Sequence, residues 1–170
     1  MVNSKQSDFL RLYEPVHERF EKYCRASAYG GYPYEDLMND CILKAYHKFE
    51  SIRDHQVFLS FLIGISRRLL ANASRKKKPE LMPDAPKISG DGSTETTVKV
   101  QFLHWCLNQL PEPQKEVLVL FEIVGFSVKE IASSLEITES NVKKRLSRGR
   151  NKLKEVVEAE IENEKGVKHA

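Results

Sequence analysis

The amino-acid sequence predicts an all-α protein, with two small helical domains joined by a flexible linker. Apolar residues recur at three- and four-residue steps before residue 76 and again after residue 98, and no segment is rich in strand signals. From residue 76 to about residue 97 the chain has three prolines and two glycines, and no hydrophobic period survives. Such a long stretch without structure is unusual inside one compact domain. We therefore expect domains at 1–76 and 98–157, a linker at 77–97 and an acidic tail at 158–170.

Charge is distributed unevenly along the chain. The net charge of the 170 residues is only +3, but residues 67–78 carry six arginines and lysines with no acid. A second basic block occupies residues 143–154, and residues 155–164 are acidic. Two separate basic blocks predict two separate contacts with nucleic acid.

Three helices are expected in the first domain, at about residues 6–29, 34–49 and 57–75, with a polar connection at 51–56. Pro15 is awkward inside the first helix and is expected to kink or divide it. In the second helix, Asp36 and Asp40 either compensate the helix dipole or form an acidic patch for a basic partner. In the third helix, Gly64 and Ala71 lie beside arginines. Small residues there either let a phosphate backbone approach closely or are simply tolerated at exposed positions.

Four short helices are expected in the second domain. The first begins near residue 98, with Val100, Leu103, Leu107 and Leu110 on its inner side. The second covers residues 114–124 and ends at a glycine. The last two form a helix-turn-helix, and the chain beyond residue 155 is expected to fray.

Residues 126–154 predict that helix-turn-helix from local signals. Ser127, followed three residues later by Glu130, is a capping box at the start of a short helix. The turn is expected at Glu136, and Thr138 is a good cap for the second helix.

The second helix of this motif has two different sides. One is an apolar stripe at helical spacing, formed by Val142, Leu146, Gly149 and Leu153. The other sides are polar and basic, and Glu139 is the only acid between residues 138 and 154. A solvated basic face on an ordinary helical hairpin is the alternative interpretation. The coincidence of cap, turn, stripe and cations favours DNA binding.

The cysteines do not indicate a metal site or a disulfide framework. Cys24, Cys41 and Cys106 are scattered, and the five histidines do not cluster with them as zinc ligands would. We expect reduced, mostly buried thiols in a cytoplasmic protein. No apolar run is long enough to span a membrane, so neither membrane insertion nor a metal or other cofactor is expected.

The order of these segments resembles the extracytoplasmic-function group of bacterial RNA polymerase sigma factors, within the sigma-70 family. Residues 34–49 and 58–78 resemble the family's second region, which carries polymerase binding and promoter opening. Residues 107–154 resemble its last region, through Leu110-Pro111, Glu130-Ile131-Ala132, Asn141-Val142-Lys143 and Arg148-Gly149-Arg150. The chain departs from the family pattern with Phe61 in place of a usual tryptophan, Arg68 in place of a common asparagine and Lys115 in place of a frequent arginine.

The resemblance implies a role for each basic or acidic segment. Asp36, Leu37 and Asp40 match the motif that docks on the coiled-coil clamp of the polymerase's largest subunit, which favours the acidic patch over dipole compensation. The proximal (−10) promoter element would be melted, with one base flipped out, by the loop and helix that carry Arg53, Asp54, His55, Arg67, Ser74 and Arg75.

The distal (−35) promoter element would be read in the major groove by the last helix. The residues implied are Ser140, Asn141, Lys143, Lys144, Arg145, Arg148, Arg150 and Lys152. Among them, Lys144 and Arg148 are candidates for guanine and Asn141 for adenine, whereas Lys143, Arg150 and Lys152 would hold phosphates. Core RNA polymerase and promoter DNA are the implied partners. An anti-sigma factor is common in the group, and exposed apolar faces are where one would bind.

Two other kinds of function compete with this interpretation. A stand-alone transcriptional regulator would bind duplex DNA through the second domain without the polymerase, but a sensor domain has no need of the basic block at 67–78. An enzyme is disfavoured, because the sequence has no phosphate loop, nucleophile motif, metal spacing or plausible pair of carboxylates. The polymerase would perform the chemistry.

Overall fold

The computed structural model describes residues 4–28, 32–50, 52–76, 84–86 and 95–167. The chain divides into two compact units, Met1–Leu81 and Met82–Ala170. All regular secondary structure among the described residues is helical, which confirms the all-α prediction. Most of the predicted linker lies outside the described residues. Its last three residues, 95–97, already belong to a helix.

Unit 1 contains four α-helices: α1 (Ser4–Tyr13), α2 (His17–Ser27), α3 (Tyr34–Lys48) and α4 (His55–Lys76). A single 3₁₀ turn, Glu14–Val16, separates α1 from α2 and contains Pro15. The ring of Pro15 cannot supply the amide hydrogen that a continuous α-helix needs, so the predicted first helix is divided at this point.

The core of unit 1 is built mainly on α4. Phe58, Leu59, Leu62 and Ile63 of this helix are fully buried, and α1, α2 and α3 all pack against it. Phe9 of α1 makes edge-to-face contacts with three aromatic rings of the unit, at centroid distances of 5.2–5.4 Å. These contacts fix α4, so its polar side and its two ends are the parts left for other molecules.

By length and composition alone, α4 would also qualify as a membrane-spanning helix. Its apolar residues, however, supply the core of unit 1, and buried core helices of soluble proteins pass the same test.

Helix α4 begins two residues earlier than the sequence predicted. Asp54 is its N-cap, since Oδ1 of Asp54 accepts hydrogen bonds from the backbone N–H groups of Gln56 (2.7 Å) and Val57 (3.2 Å). His55 is therefore the first residue of α4. We had predicted that it lies in a loop, and that prediction is wrong.

Unit 2 contains α5 (Glu95–Asn108), α6 (Glu112–Leu118), α7 (Val128–Leu135) and α8 (Glu139–Val167). The stretch Val119–Val124 continues α6 as a π-helix, so the predicted helix at 114–124 is correct in extent but changes its hydrogen bonding midway. It ends at Gly125, whose φ of +81° is the left-handed conformation that glycine adopts readily. The N–H groups of Gly125 and Phe126 both donate to the carbonyl of Leu120.

The predicted inner side of α5 is half wrong. Leu107 and Leu110 are buried, but Val100 is 43% exposed and Leu103 is 40% exposed. The helix has apolar residues on several faces, so the hydrophobic period could not select the one that packs. Cys106 occupies part of the buried side instead.

The prediction that the chain frays beyond residue 155 is also wrong. Helix α8 runs without a break for 29 residues to Val167. Glutamate and lysine are good helix formers, and ion pairs along the helix join Lys152 to Glu155 (3.3 Å) and Lys154 to Glu158 (3.9 Å). The basic and acidic segments are two halves of one helix.

Candidate nucleic-acid interface

The helix-turn-helix has the caps that the sequence predicted. The backbone N–H of Glu130 donates to Oγ of Ser127 at 3.1 Å, and the N–H of Ser127 donates to the Glu130 carboxylate at 2.7 Å. Helix α7 ends at Glu136, which has a left-handed φ of +55°. The side chain of Thr138 then caps α8 by accepting from the N–H of Asn141 at 3.1 Å. These local bonds fix the start of each helix and the turn between them.

The inner face of α8 lies against α6 and α7. Val142 and Leu146 are buried, and Gly149 sits directly on α6. A Cβ atom at position 149 would lie 3.0 Å from Cδ1 of Leu118 and 3.3 Å from the backbone oxygen of Gln114. Gly149 therefore lets the two helices approach more closely than any larger residue would allow.

The outer face of α8 is basic and open to solvent. Asn141 and Arg145 are partly exposed, and the remaining residues predicted to contact the distal element are exposed: Ser140, Lys143, Lys144, Arg148, Arg150 and Lys152. Within the described residues, no ion pair or side-chain hydrogen bond joins Lys143, Lys144 or Arg148 to a carboxylate. Their mutual repulsion is uncompensated, which is the electrostatic arrangement expected of a surface that receives a polyanion.

Two predicted phosphate ligands differ from those three cations, because they already have carboxylate partners. Nη2 of Arg150 lies 2.7 Å from Oε1 of Glu122, and Nε lies 3.1 Å from the same oxygen. The guanidinium of Arg150 also lies over the ring of Phe121, 5.3 Å from its centroid. Lys152 pairs with Glu155, one turn further along the same helix.

The residues predicted for the proximal element do not form one cluster. Arg53 and His55 are exposed side chains at the start of α4, and the Asp54 carboxylate between them is occupied as the helix cap. Arg67, Ser74 and Arg75 lie 12–20 residues further along α4, which is roughly 18–30 Å along the helix axis. Arg67 is half-buried, and the other two are exposed.

A groove opens beside the first of these groups. Phe49, Leu12 and Ile52 are among the apolar residues that line it, and charged residues of α1 and of the α3–α4 connection line the rest: Lys5, Asp8, Arg11, Glu50, Arg53 and His55. An apolar wall beside cationic side chains suits a flat aromatic group that is attached to a phosphate.

The predicted polymerase-docking residues lie on α3. Asp36 and Asp40 are exposed, and the carboxylate of Asp40 accepts a hydrogen bond from the hydroxyl of Tyr32 at 2.5 Å. Burial and this hydrogen bond raise the pKa of Tyr32. Leu37, in contrast, is completely buried. In this structure Leu37 therefore offers no surface to a partner, and it anchors the helix that presents the two carboxylates.

One residue of this surface was missed in the sequence. Leu43 is 60% exposed, and it follows Asp40 by three residues and Asp36 by seven, so all three lie on one face of α3. The available signal was an apolar residue outside the apolar stripe of its helix.

The described residues offer no obvious chemistry. No group of three or more histidine, cysteine, aspartate or glutamate residues is arranged among them to hold a metal ion. The three cysteines are buried free thiols, and burial raises the pKa of Cys41 and of Cys106 to about 11 and that of Cys24 further. Such thiols stay protonated at neutral pH and are poor nucleophiles.

Comparisons with known proteins find matches that extend over both units. A family model described as "Sigma-70, region 4" matches residues 103–153, which include the helix-turn-helix. The RNA polymerase sigma factor SigZ of Bacillus subtilis is 27% identical over 150 residues, covering 86% of this chain and 85% of that protein. The ECF RNA polymerase sigma factor SigW of the same organism is 24% identical over 165 residues, covering 88% of each chain.

A solved structure is similar along most of the chain. It is the sigma factor RpoE in complex with the anti-sigma factor NepR from Bartonella quintana, with a TM-score of 0.68 and 22% sequence identity. The match covers 89% of this chain and 98% of that chain. It supports the all-helical fold described above.

Proposed function

The chain belongs to the extracytoplasmic-function group of sigma-70 family RNA polymerase sigma factors, and from this we propose how its surfaces direct transcription initiation. It acts with core RNA polymerase and promoter DNA. The relatives match over 86–88% of the chain, so the likeness extends through both units and not only through the helix-turn-helix. A stand-alone regulator would share only the second of them.

The uncompensated cations of α8 carry the proposal for the distal element. We assign Lys144 and Arg148 to guanine edges and Asn141 to an adenine edge in the major groove, because their side chains lie on the side of α8 opposite the buried stripe. Lys143, which flanks that side, would contact a phosphate.

The start of α4 and the groove beside it support the proposal for the proximal element. A base flipped from the melted strand would enter the groove, with Arg53 and His55 at its charged rim. Arg67, Ser74 and Arg75 would follow the sugar-phosphate backbone along α4, since they are too far from the groove to meet the same nucleotide. Asp54 would contribute indirectly, by fixing the first turn of the helix.

The face of α3 that carries Asp36, Asp40 and Leu43 is our proposed docking surface for the polymerase. Two carboxylates beside an exposed leucine suit a basic partner that would bury the leucine at the centre of the interface. We place the protein in the cytoplasm, where it would leave all chemistry to the polymerase. An anti-sigma factor is a further proposed partner, since the structurally similar RpoE chain was solved with one.

The docking surface can be tested by reversing its charge. We expect Asp36→Arg with Asp40→Arg to abolish assembly with core RNA polymerase while leaving the chain folded, because both side chains are exposed. The melting temperature should fall only slightly, through the lost Tyr32–Asp40 hydrogen bond and the lost carboxylate in the first turn of α3. A matched control is Glu158→Arg with Glu162→Arg, which makes the same charge change at the same spacing on α8. Normal holoenzyme assembly by the first double variant would refute the docking assignment.

The function itself can be tested by DNA retention. The protein is incubated with random duplexes at fixed salt, with and without core RNA polymerase, and the retained duplexes are sequenced. We expect selective retention only with the polymerase, and both promoter elements should emerge from the same pool. Equal selectivity by the protein alone would favour the alternative function, a stand-alone transcriptional regulator.

A further inference from the structure

Arg150 is held in place more firmly than the other cations of the proposed DNA-reading face. Its guanidinium donates twice to one carboxylate oxygen of Glu122, at 2.7 and 3.1 Å, and lies over the ring of the neighbouring Phe121. Glu122 and Phe121 belong to the π-helix before the motif, 28 residues away from Arg150 in sequence. The contact therefore joins two separate helices.

The other cations of α8 offer useful comparisons. Lys152 pairs with Glu155 one turn along α8, and such a pair cannot affect how α8 sits on its neighbours. Lys143 has no carboxylate partner among the described residues. Of the three, only Arg150 links the DNA-reading helix to the helix beneath it.

The position of this link along α8 matters for reading bases. Arg150 directly follows Gly149, which packs directly against α6, and it comes two residues after Arg148. A contact between helices beside this packed glycine would restrain the rotation of α8 about its own axis. That rotation decides which base edges the outer side chains can reach.

We propose that Arg150 is a positioning residue and not a phosphate ligand, and that the Glu122–Arg150 pair helps to set promoter selectivity. This inference rests on the proposed reading of the distal element by α8. Glu122 already accepts from two of the five N–H groups of the guanidinium, so a DNA phosphate could bind only the remaining ones, close to this carboxylate. The negative charge of Glu122 would repel a phosphate bound there, so the contact would gain little.

The test uses the full chain assembled with core RNA polymerase and a duplex selected from the random pool. Retention of this duplex and of a scrambled duplex is measured at several salt concentrations. The ratio of the two affinities is the selectivity, and the steepness with which log affinity falls against log salt concentration is the salt slope. For Arg150→Ala and for Glu122→Gln, we expect selectivity to fall roughly two- to fivefold, the upper part of the range of an exposed ion pair, with an unchanged salt slope. Lys143→Ala should do the reverse, lowering the salt slope by about 0.9 with little change in selectivity.

The Glu122→Gln variant separates the two roles of Arg150. If Arg150 held a phosphate, removing the competing carboxylate would strengthen binding to every duplex, and Arg150→Ala would lower the salt slope by about 0.9. Either result would overturn the proposal. Glu155→Gln is the matched control, since it frees Lys152 from a pair within one helix and should leave selectivity unchanged.

Rescue adds a measurement that a general loss of stability would not reproduce. Arg150→Lys keeps the charge but not the two-pronged contact, so it should leave the salt slope unchanged and still lose selectivity, whereas a phosphate ligand would keep both. Glu122→Arg with Arg150→Glu should recover the selectivity that each single reversal loses, although absolute affinity falls. Additive losses in this double variant would refute the pair. A wild-type holoenzyme that selects no duplex would instead refute the proposed function.

Discussion

Helices α4 and α8 each carry a basic cluster, but the two clusters lie at opposite ends of their helices. In α4 the cations Arg75 and Lys76 fall in the last turn, where the negative end of the helix dipole attracts them. In α8 the cations begin in the second turn, far from that end, and Lys144 and Arg148 repel each other at a spacing of four residues. Helix stability alone explains why cations lie in the last turn of α4. It does not explain why cations lie on the outer face of α8.

This difference shows that a basic run in a sequence is weak evidence until its place on the helix is known. Lys143, Lys144 and Arg148 point to a polyanion because no carboxylate among the described residues pairs with them, so they bring no benefit to the fold. For Arg75, the case for DNA binding depends on family membership and on its exposure. The predictions below separate these two situations.

The largest expected effect is on base reading by α8. We expect Arg148→Ala to weaken binding of the selected promoter by about 1–3 kcal/mol and to relax preference at one base pair. Lys143→Ala should weaken binding to all duplexes alike. Retention of single-base variants of the promoter by each holoenzyme measures the contrast, and equal losses on all sequences for Arg148→Ala would remove this residue from base reading.

Gly64 lies in α4 and Gly149 lies on the packed face of α8, and the packed glycine should be the more sensitive to substitution. Gly149→Leu should destabilise unit 2 by about 1–3 kcal/mol, because Leu118 and the Gln114 carbonyl leave no room for a side chain. Chemical denaturation of the full chain measures the loss. A variant as stable as wild type would show that α8 can move away from α6, and its promoter selectivity would then report the displacement.

The glycine of α4 should respond with the opposite sign. A Cβ atom at Gly64 would meet nothing within 4 Å, so Gly64→Ala should stabilise the protein by about 1 kcal/mol through helix propensity. If the backbone of the melted strand passes close to this position, the same variant should open promoters less well. Permanganate footprinting checks the opening, and wild-type opening would show that Gly64 is merely tolerated.

The smallest expected effect is on stability, and it tests the helix-end argument directly. Arg75→Gln should destabilise unit 1 by about 0.3–1 kcal/mol, because it removes a cation from the negative end of α4. Lys144→Gln should instead stabilise unit 2 by about 0.2–0.5 kcal/mol, because it relieves repulsion by Arg148. Thermal melts at low and high salt should show both differences shrinking with salt.

The sequence predicted interactions between neighbouring residues better than interactions between residues far apart in the chain. The capping box at Ser127 and the cap at Thr138 depend on residues within one turn, so they were visible as short patterns. Asp54 gave an equally local signal as an N-cap, and it was overlooked because the connection was expected to be polar throughout. The π-helix depends on how its neighbouring turns pack, and the spacing of apolar residues in the sequence does not record that packing.

Contacts between distant residues were beyond the sequence. Nothing in the pattern joins Glu122 to Arg150, and the exposure of Val100 and Leu103 could not be told from their apolar character. The sequence predicted fraying after residue 155 because an acidic terminal segment is often poorly ordered. In fact its glutamates pair along the helix with the lysines before them.

The π-helix between α6 and α7 accommodates one extra residue without redirecting the chain. Its wide turn holds about one residue more than an α-turn, and Leu120 closes it by accepting from Gly125 and Phe126. Removing one residue here and returning to α-helical bonding would keep about the same rotation, so α7 and α8 would leave in nearly the same direction. Removing one residue from α6 while the π-turn stays would instead rotate all that follows by about 100° around the axis. The π-helix is therefore where this helix can change in length without turning the reading face away from the groove.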